Sequence, residues 1–403
     1  MNVVFFSPNY PPEMRDFTRG LAEVGARVYG IGSDPVDSLA PEVRRRLHDY
    51  RQVSLHDVDA MLRTLRHWGV PFDRIECLWE PFIEQAAMLR EALGVPGTSL
   101  DTARGFRDKE LMKQRVEAAG LRVPYHARAR TADEVWAAAA RFGYPLIVKP
   151  IAGAGSADTF RVNGADELRI VIERTRHVAE VSVEEFIDGE EFTFDTVSIR
   201  GVPAFFNIAQ YHPRPLIARS NEWVSPIVVV HRDVDHPKYR DGIKLGLGVL
   251  DALGMGTGFT HMEWYRKPDG EVVFGEIGGR SAGGHLVDQM NYSNDIDLFR
   301  EWARAVCWES FEAPVPRRYN VAIIFKRAIG QGRITRITGL EDYMRRFGRH
   351  VVAETLLRPG HHRRDWLQTL VSDGYLLVRH PDLGETMRMA EAAATDVQVY
   401  AGG

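Results

Sequence analysis

Over its first hundred residues the chain alternates short apolar runs with helical stripes, and this alternation restricts the fold more than any other feature. Val3–Phe6 reads as a buried strand. Met14, Phe17, Leu21 and Val24 recur at intervals of 3, 4 and 3, which puts them on one helix face, and Val28–Ile31 reads as a second strand. Val58, Met61, Leu62 and Leu65 mark another helix, Ile75–Trp79 a third strand, and Ile83, Ala86, Ala87 and Leu93 the helix after it. Parallel strands need long crossovers, so strands alternating with helices predict a parallel, doubly wound α/β sheet. Gly94-Val95-Pro96-Gly97 closes the unit.

The pattern then changes. A polar helix is expected from about Thr102 to Ala119, stopped by Gly120 and Pro124, followed by a helix over Ala132–Phe142. Strands dominate afterwards: Leu146–Lys149, Val181–Phe186, Phe192–Ile199, Pro203–Ala209 and Ile227–Val230. Phe259–Arg266 and Glu271–Ile277 read as a hairpin about Pro268-Asp269-Gly270. Pro314-Val315-Pro316 with Arg317-Arg318 marks a boundary, and the last ninety residues read as a small α+β unit. Tyr211–Ser225 has no period and reads equally well as a site loop or a long connection.

Charge and composition exclude several classes. With 51 basic and 55 acidic residues the formal charge is −4, which leaves no electrostatic footprint for nucleic acid or an anionic membrane. Cys77 and Cys307 are not spaced as a metal or redox pair, and the run Val3–Phe6 is too short for a signal core or a membrane span. A cytoplasmic chain is expected. Only seven lysines occur, none among the first 100 residues, so a lysine beside other functional residues carries weight.

Three clusters carry chemistry. If the hairpin centres between Pro268 and Asp269, Glu263 faces residue 274 and Glu276 is its diagonal neighbour on the same face, roughly 7–8 Å away. Two carboxylates so placed can clamp a hard cation such as Mg²⁺. Lys149 ends an apolar strand and precedes Ala152-Gly153-Ala154-Gly155-Ser156, a small-residue loop whose amides can approach phosphate closely. Glu184-Glu185-Phe186-Ile187 and Glu191 flank a polar turn between strands and suit a nucleotide edge. A rival motif, Gly279-Arg280-Ser281-Ala282-Gly283, matches the nucleophile elbow of serine hydrolases, with His350, His361, His362 or His380 as base and Asp295, Asp365 or Asp373 as its orienting acid.

In order and spacing these clusters resemble the ATP-grasp superfamily, closest in layout to its biotin-carboxylase-like branch and amino-acid ligases. The resemblance implies an α/β and α+β architecture: a leading parallel-sheet domain over 1–102, a bipartite ATP-grasp domain over 103–314 with a smaller lid at about 124–187, and a C-terminal α+β domain over 315–403. It implies that Lys109 and Lys149 are the two ATP lysines and that Gly153, Gly155 and Ser156 lie over the phosphates. Glu184 and the backbone of Glu185 and Ile187 would meet adenine, and Glu191 the ribose. Glu263 and Glu276 would hold Mg²⁺, or Mn²⁺ in its place, and Arg280 would steady an acyl phosphate. Gly278 departs from the family, which often has a metal-ligating asparagine there. The implied activity is an ADP-forming ligation of a small carboxylate to an amine, with a homodimer as a common assembly. The alternatives are a silent nucleotide-binding relative, a carboxylating enzyme, and the serine hydrolase.

Overall fold

The computed structural model describes residues 1–151, 159–369 and 371–403. The N-terminal alternation forms a parallel four-stranded sheet in the order Leu47–Gln52, Arg27–Gly32, Asn2–Phe6, Arg74–Glu76. Helices Met14–Glu23 and Val58–His67 lie in its connections, and helix Ile83–Leu93 follows its last strand. Val3 and Phe5 enter one core cluster and Val4 and Phe6 another, so the central strand is buried on both faces, as parallel strands are. Leu47–Gln52 was not anticipated. It is a half-exposed edge strand whose sequence, Leu-His-Asp-Tyr-Arg-Gln, carries no apolar run.

The second half builds an eight-stranded sheet in the order Val272–Gly278, Gly258–Arg266, Glu190–Ile199, Val202–His212, Ile227–Val230, Asn320–Phe325, Tyr375–His380, Val351–Glu354. Every pairing within it is antiparallel. All six residues of Asn320–Phe325 are buried, and this strand pairs with Ile227–Val230, so the sheet runs unbroken past Pro314–Pro316. A separate antiparallel sheet, ordered His126–Ala129, Val181–Glu185, Leu146–Pro150, Phe160–Val162, packs helices Ala132–Phe142 and Ala165–Thr175 against one face. Its other face carries Lys149 and Glu184.

Helix Met14–Glu23 docks on helix Leu298–Trp308. A Cβ at Gly20 would lie 2.4 Å from the Phe299 carbonyl oxygen, so only glycine permits this approach. Phe17 meets Phe299 and Trp302 edge-on at 4.9 and 5.0 Å between ring centroids. Among the described residues no helix is long and apolar enough to cross a membrane.

Two local expectations change. The helix expected over 102–119 is two helices, Leu100–Gly105 and Lys109–Ala118. Asp108 restarts the chain as an N-cap, its Oδ1 accepting from the Glu110 and Leu111 amides at 2.9 and 3.0 Å. The hairpin register also differs. Glu263 pairs directly with Glu276, not diagonally across residue 274, because a bulge lies between the 263–276 and 264–274 pairs. Gly275 is the extra residue. A Cβ there would lie 2.8 Å from the Glu263 carbonyl oxygen, so the bulge closes only on glycine.

Candidate active site

A cleft of about 790 Å³, counting the space open at its mouth, lies between the small sheet and the eight-stranded sheet. That is the size of a site for a nucleotide-sized ligand. Lys109, Lys149, Glu184, Glu185, Ile187, Glu191, Glu263 and Glu276 all line it. Residues 109 to 276 in sequence thus converge from six elements: the start of helix Lys109–Ala118, the two inner strands of the small sheet, and the paired strands Glu190–Ile199, Gly258–Arg266 and Val272–Gly278 of the large one.

The lysines converge on Glu276. Lys109 Nζ lies 3.3 Å and Lys149 Nζ 3.6 Å from its Oε2. Burial alone would raise the Glu276 pKa, but Lys109 and Lys149 outweigh it and hold the carboxyl down to about 2. Glu184 binds the lysines from the other side, with Oε2 3.1 Å from Lys149 and Oε1 2.8 Å from Lys113. Ser182 Oγ donates to the same Oε1 at 2.8 Å. Burial opposes the Glu184 charge, and Lys113 and Lys149 overcome it, driving its pKa far below the usual carboxylate range. The Glu184 carboxylate is therefore occupied by lysines rather than directed at a base.

Opposite the lysines the cleft is acidic. Glu191 is buried and accepts from Arg214 Nε at 3.2 Å. Burial, then Glu263, pushes Glu191 up to about 8 despite Arg214. Tyr211 donates its phenol to Glu263 Oε1 at 3.2 Å, and burial together with Glu263 keeps that phenol protonated. His261 Nδ1 meets Asp195 Oδ1 at 2.5 Å, and its Nε2 lies 3.8 Å from Glu263. Burial disfavours the imidazolium, but Asp195 outweighs it and raises His261 to about 9.

The donor set fits a hard divalent cation. Glu263 and Glu276 face each other in register, and Glu191 lies close enough for Glu263 to add to the burial that raises its pKa. Among the described residues no cluster of three or more His, Cys, Asp or Glu side chains surrounds one point. Two carboxylates with the remaining positions left to phosphate oxygens and water is the arrangement Mg²⁺ favours.

Arg280 does not line the cleft. Its Nε donates to Glu80 Oε2 at 2.6 Å, and Arg107 holds the other Glu80 oxygen at 2.7 Å. A Cβ at Gly278 would lie 3.3 Å from Arg280 Cγ, so the departure from asparagine leaves room for the arginine to fold back along its strand. The Glu185 side chain also points away from the cleft, gripped by Arg122 Nη2 at 3.0 and 2.9 Å, and its amide donates to the Tyr125 carbonyl.

The family described as the ATP-grasp domain matches residues 106–212, which include both lysines and the Glu184–Glu191 turn. The chain carries an ATP-grasp domain. Across the whole chain the fold is shared with solved structures. An L-amino acid ligase from Bacillus licheniformis superposes with a TM-score of 0.79 at 20% identity, covering 100% of this chain and 99% of that one. An N5-carboxyaminoimidazole ribonucleotide synthetase from Thermotoga maritima gives 0.71 at 15% identity, again over 100% and 99%. In sequence, an L-arginine-specific L-amino acid ligase from Bacillus subtilis is 28% identical over 236 residues, 57% of this chain and 56% of the relative. The chain spans about half the length of the curated relatives it matches.

Within this ATP-grasp site, sequence reasoning missed Lys113, Arg214, Tyr211 and Glu80. Lys113 carried a signal: it is one of seven lysines and stands one helical turn after Lys109. Arg214 and Leu216 line the cleft, which places part of the Tyr211–Ser225 segment at the site. Gly153, Gly155 and Ser156 lie outside the described residues. The serine-hydrolase alternative does not assemble. Ser281 is buried, and four residues separate it from helix Leu286–Asn294 instead of a tight strand-to-helix turn. His361 and His380 are engaged by local backbone, and Asp295 by Arg318 and Arg379, so these three do not join Ser281 in a triad.

Proposed function

We propose that this chain is a Mg²⁺- and ATP-dependent ligase that joins a small carboxylic or amino acid to an amine through an acyl phosphate, releasing ADP and phosphate. The observation that carries the reading is the direct pairing of Glu263 with Glu276 on the floor of a cleft whose other wall presents Lys109 and Lys149. Joining a carboxylate to an amine in water is uphill. Attack of a carboxylate oxygen on the γ-phosphorus breaks the β,γ P–O bond and frees ADP. The amine then attacks the acyl carbon and expels phosphate.

That sequence mostly requires positioning and charge neutralisation. Lys109 and Lys149 lie against Glu276 and Glu184, ready to exchange those carboxylates for phosphate oxygens. Glu263 and Glu276 would hold Mg²⁺, which supplies charge neutralisation between phosphate oxygens. Glu184 and Lys113 fix Lys149 from behind. Arg280, aimed by Glu80, would steady the acyl phosphate. The similarity to amino acid ligases supports an amino acid as one substrate, and the reading implies a cytoplasmic enzyme.

The test is ADP formation from ATP and Mg²⁺ with amino acids and small carboxylic acids, alone and in pairs, with Glu276→Ala as control. ADP that forms only with certain acids and vanishes in the variant supports ligation. ADP that instead requires bicarbonate supports carboxylation, the activity named for the Thermotoga maritima neighbour. ATP binding without turnover on any pair refutes the ligase.

A further inference from the structure

A second cavity, about 860 Å³ with its open mouth, lies at the Arg74–Glu76 edge of the N-terminal sheet and shares no lining residue with the ATP cleft. Its walls come from five separate stretches that are tied together. Arg90 donates to the Ile75 and Thr98 carbonyls at 2.8 and 3.0 Å, which fixes the 96–99 loop to the sheet edge. Arg74 Nε donates to the Val306 carbonyl at 2.9 Å, joining that edge to helix Leu298–Trp308. The Arg200 amide donates to Thr257 Oγ1 at 2.9 Å, closing the third side.

Inside this frame Glu76 is unusual. It lines the cavity, and among the described residues it makes neither a hydrogen bond nor an ion pair. Burial raises its pKa against the pull of Arg90 and Arg74. Arg74 gives Nε and Nη1 to the Val306 and Asp73 carbonyls, which leaves Nη2 for a ligand. Arg74 lies two residues earlier on the same strand and also lines the cavity. Residues two apart on a strand share a face, roughly 6–7 Å apart along it. A carboxylate and a guanidinium that do not pair with each other thus stand side by side at one wall, and Arg200 and Glu309 neutralise each other at the opposite one.

From this juxtaposition we infer that the cavity is a second small-molecule site that takes a free amino acid as its zwitterion, the ammonium on Glu76 and the carboxylate on Arg74. Strand Arg74–Glu76 ends at Glu76, and Glu80, the residue that holds Arg280, lies four residues further along the chain.

The experiment is titration calorimetry of the full chain, without ATP, with each of the twenty L-amino acids, and with ethylamine and propionate as probes of single charge. The readout is binding, so it stands whether or not ADP is ever released. Two variants locate the site. Glu76→Gln removes the charge. Gly256→Leu fills the cavity, since an added Cβ there meets nothing within 4 Å. Saturable binding of an amino acid is expected, weakened at least about tenfold in both variants and retained in Glu276→Ala, with ethylamine and propionate binding at least about tenfold more weakly. The inference is overturned if no amino acid binds, if either folded variant binds as the wild type does, or if Glu276→Ala abolishes the same binding.

Discussion

An alanine at position 275 would place its Cβ 2.8 Å from the Glu263 carbonyl oxygen and 3.1 Å from the Tyr265 ring. Ordinary contact begins at 3.4 Å, so the two strands must part by about 0.6 Å at the bulge. The nearer neighbour is backbone and cannot rotate away. Overpacking of this kind costs about 1–3 kcal/mol, which a domain of ordinary stability survives. The reaction tolerates it less well. The displaced atoms belong to Glu263 itself, and misplacing a positioned group by about 1 Å can cost roughly 100-fold in rate. Gly275→Ala is therefore expected to lower kcat by about 10- to 100-fold and to raise the Mg²⁺ concentration needed for half-maximal rate, with little change in Tm. ADP release measured across a Mg²⁺ series, beside a thermal melt, reads all three quantities. A folded variant with wild-type rate and wild-type Mg²⁺ dependence would refute the argument that this bulge sets the carboxylate pair.

Three further outcomes follow from the packing. Lys113 is wholly buried against Glu184, so Lys113→Met should cost about 1–3 kcal/mol in urea unfolding by removing one of the two lysines that pair that carboxylate. Adding Glu184→Gln should recover part of the loss, and additive losses would contradict a paired role. His231 is buried beside Tyr239 with Nε2 unpartnered, and burial lowers its pKa to about 3. The unfolded chain then takes up the proton first, so stability is full above about 6.5 and falls as pH drops toward 3, by up to about 1.4 kcal/mol per unit. Acid titration of His231→Phe should show a shallower fall, and an identical slope would exclude His231 as a source. Trp302→Ala should cost about 3–5 kcal/mol, because the ring is wholly buried at the contact between the N-terminal helix Met14–Glu23 and the large sheet. Hydrogen exchange localised to the Asn2–Gly32 region would show which contact loosens, and unchanged exchange there would discount that contact.

Much of the site was legible because it is written in short, local signals. Lys149 at the end of an apolar strand, Glu191 after a polar turn and Glu276 at the end of Val272–Phe274 each stand out against sequence that packs a core. Lys109 and Glu263 followed once the order of these clusters was read as a whole. What stayed hidden depended on contacts remote in sequence. Arg214 reaches Glu191 across 23 residues, Glu80 reaches Arg280 across 200, and neither pairing has a local pattern. The polar edge strand Leu47–Gln52 was missed because edge strands need no apolar alternation, and the break at Asp108 because a capping aspartate looks like any other polar residue of a polar helix.

The sequence by itself determined the parallel N-terminal sheet, the antiparallel hairpin, and the residue types of the cleft, since hydrophobic period and turn chemistry act over a few residues. The tertiary structure decided which carboxylates face each other and which charges are spent. A single extra residue at Gly275 turned a diagonal pair into a direct one, and burial against two lysines turned Glu184 from a base-binding candidate into the group that holds Lys149. Register and burial set the distance and the dielectric between charges, and both depend on strands that meet only when the chain has folded.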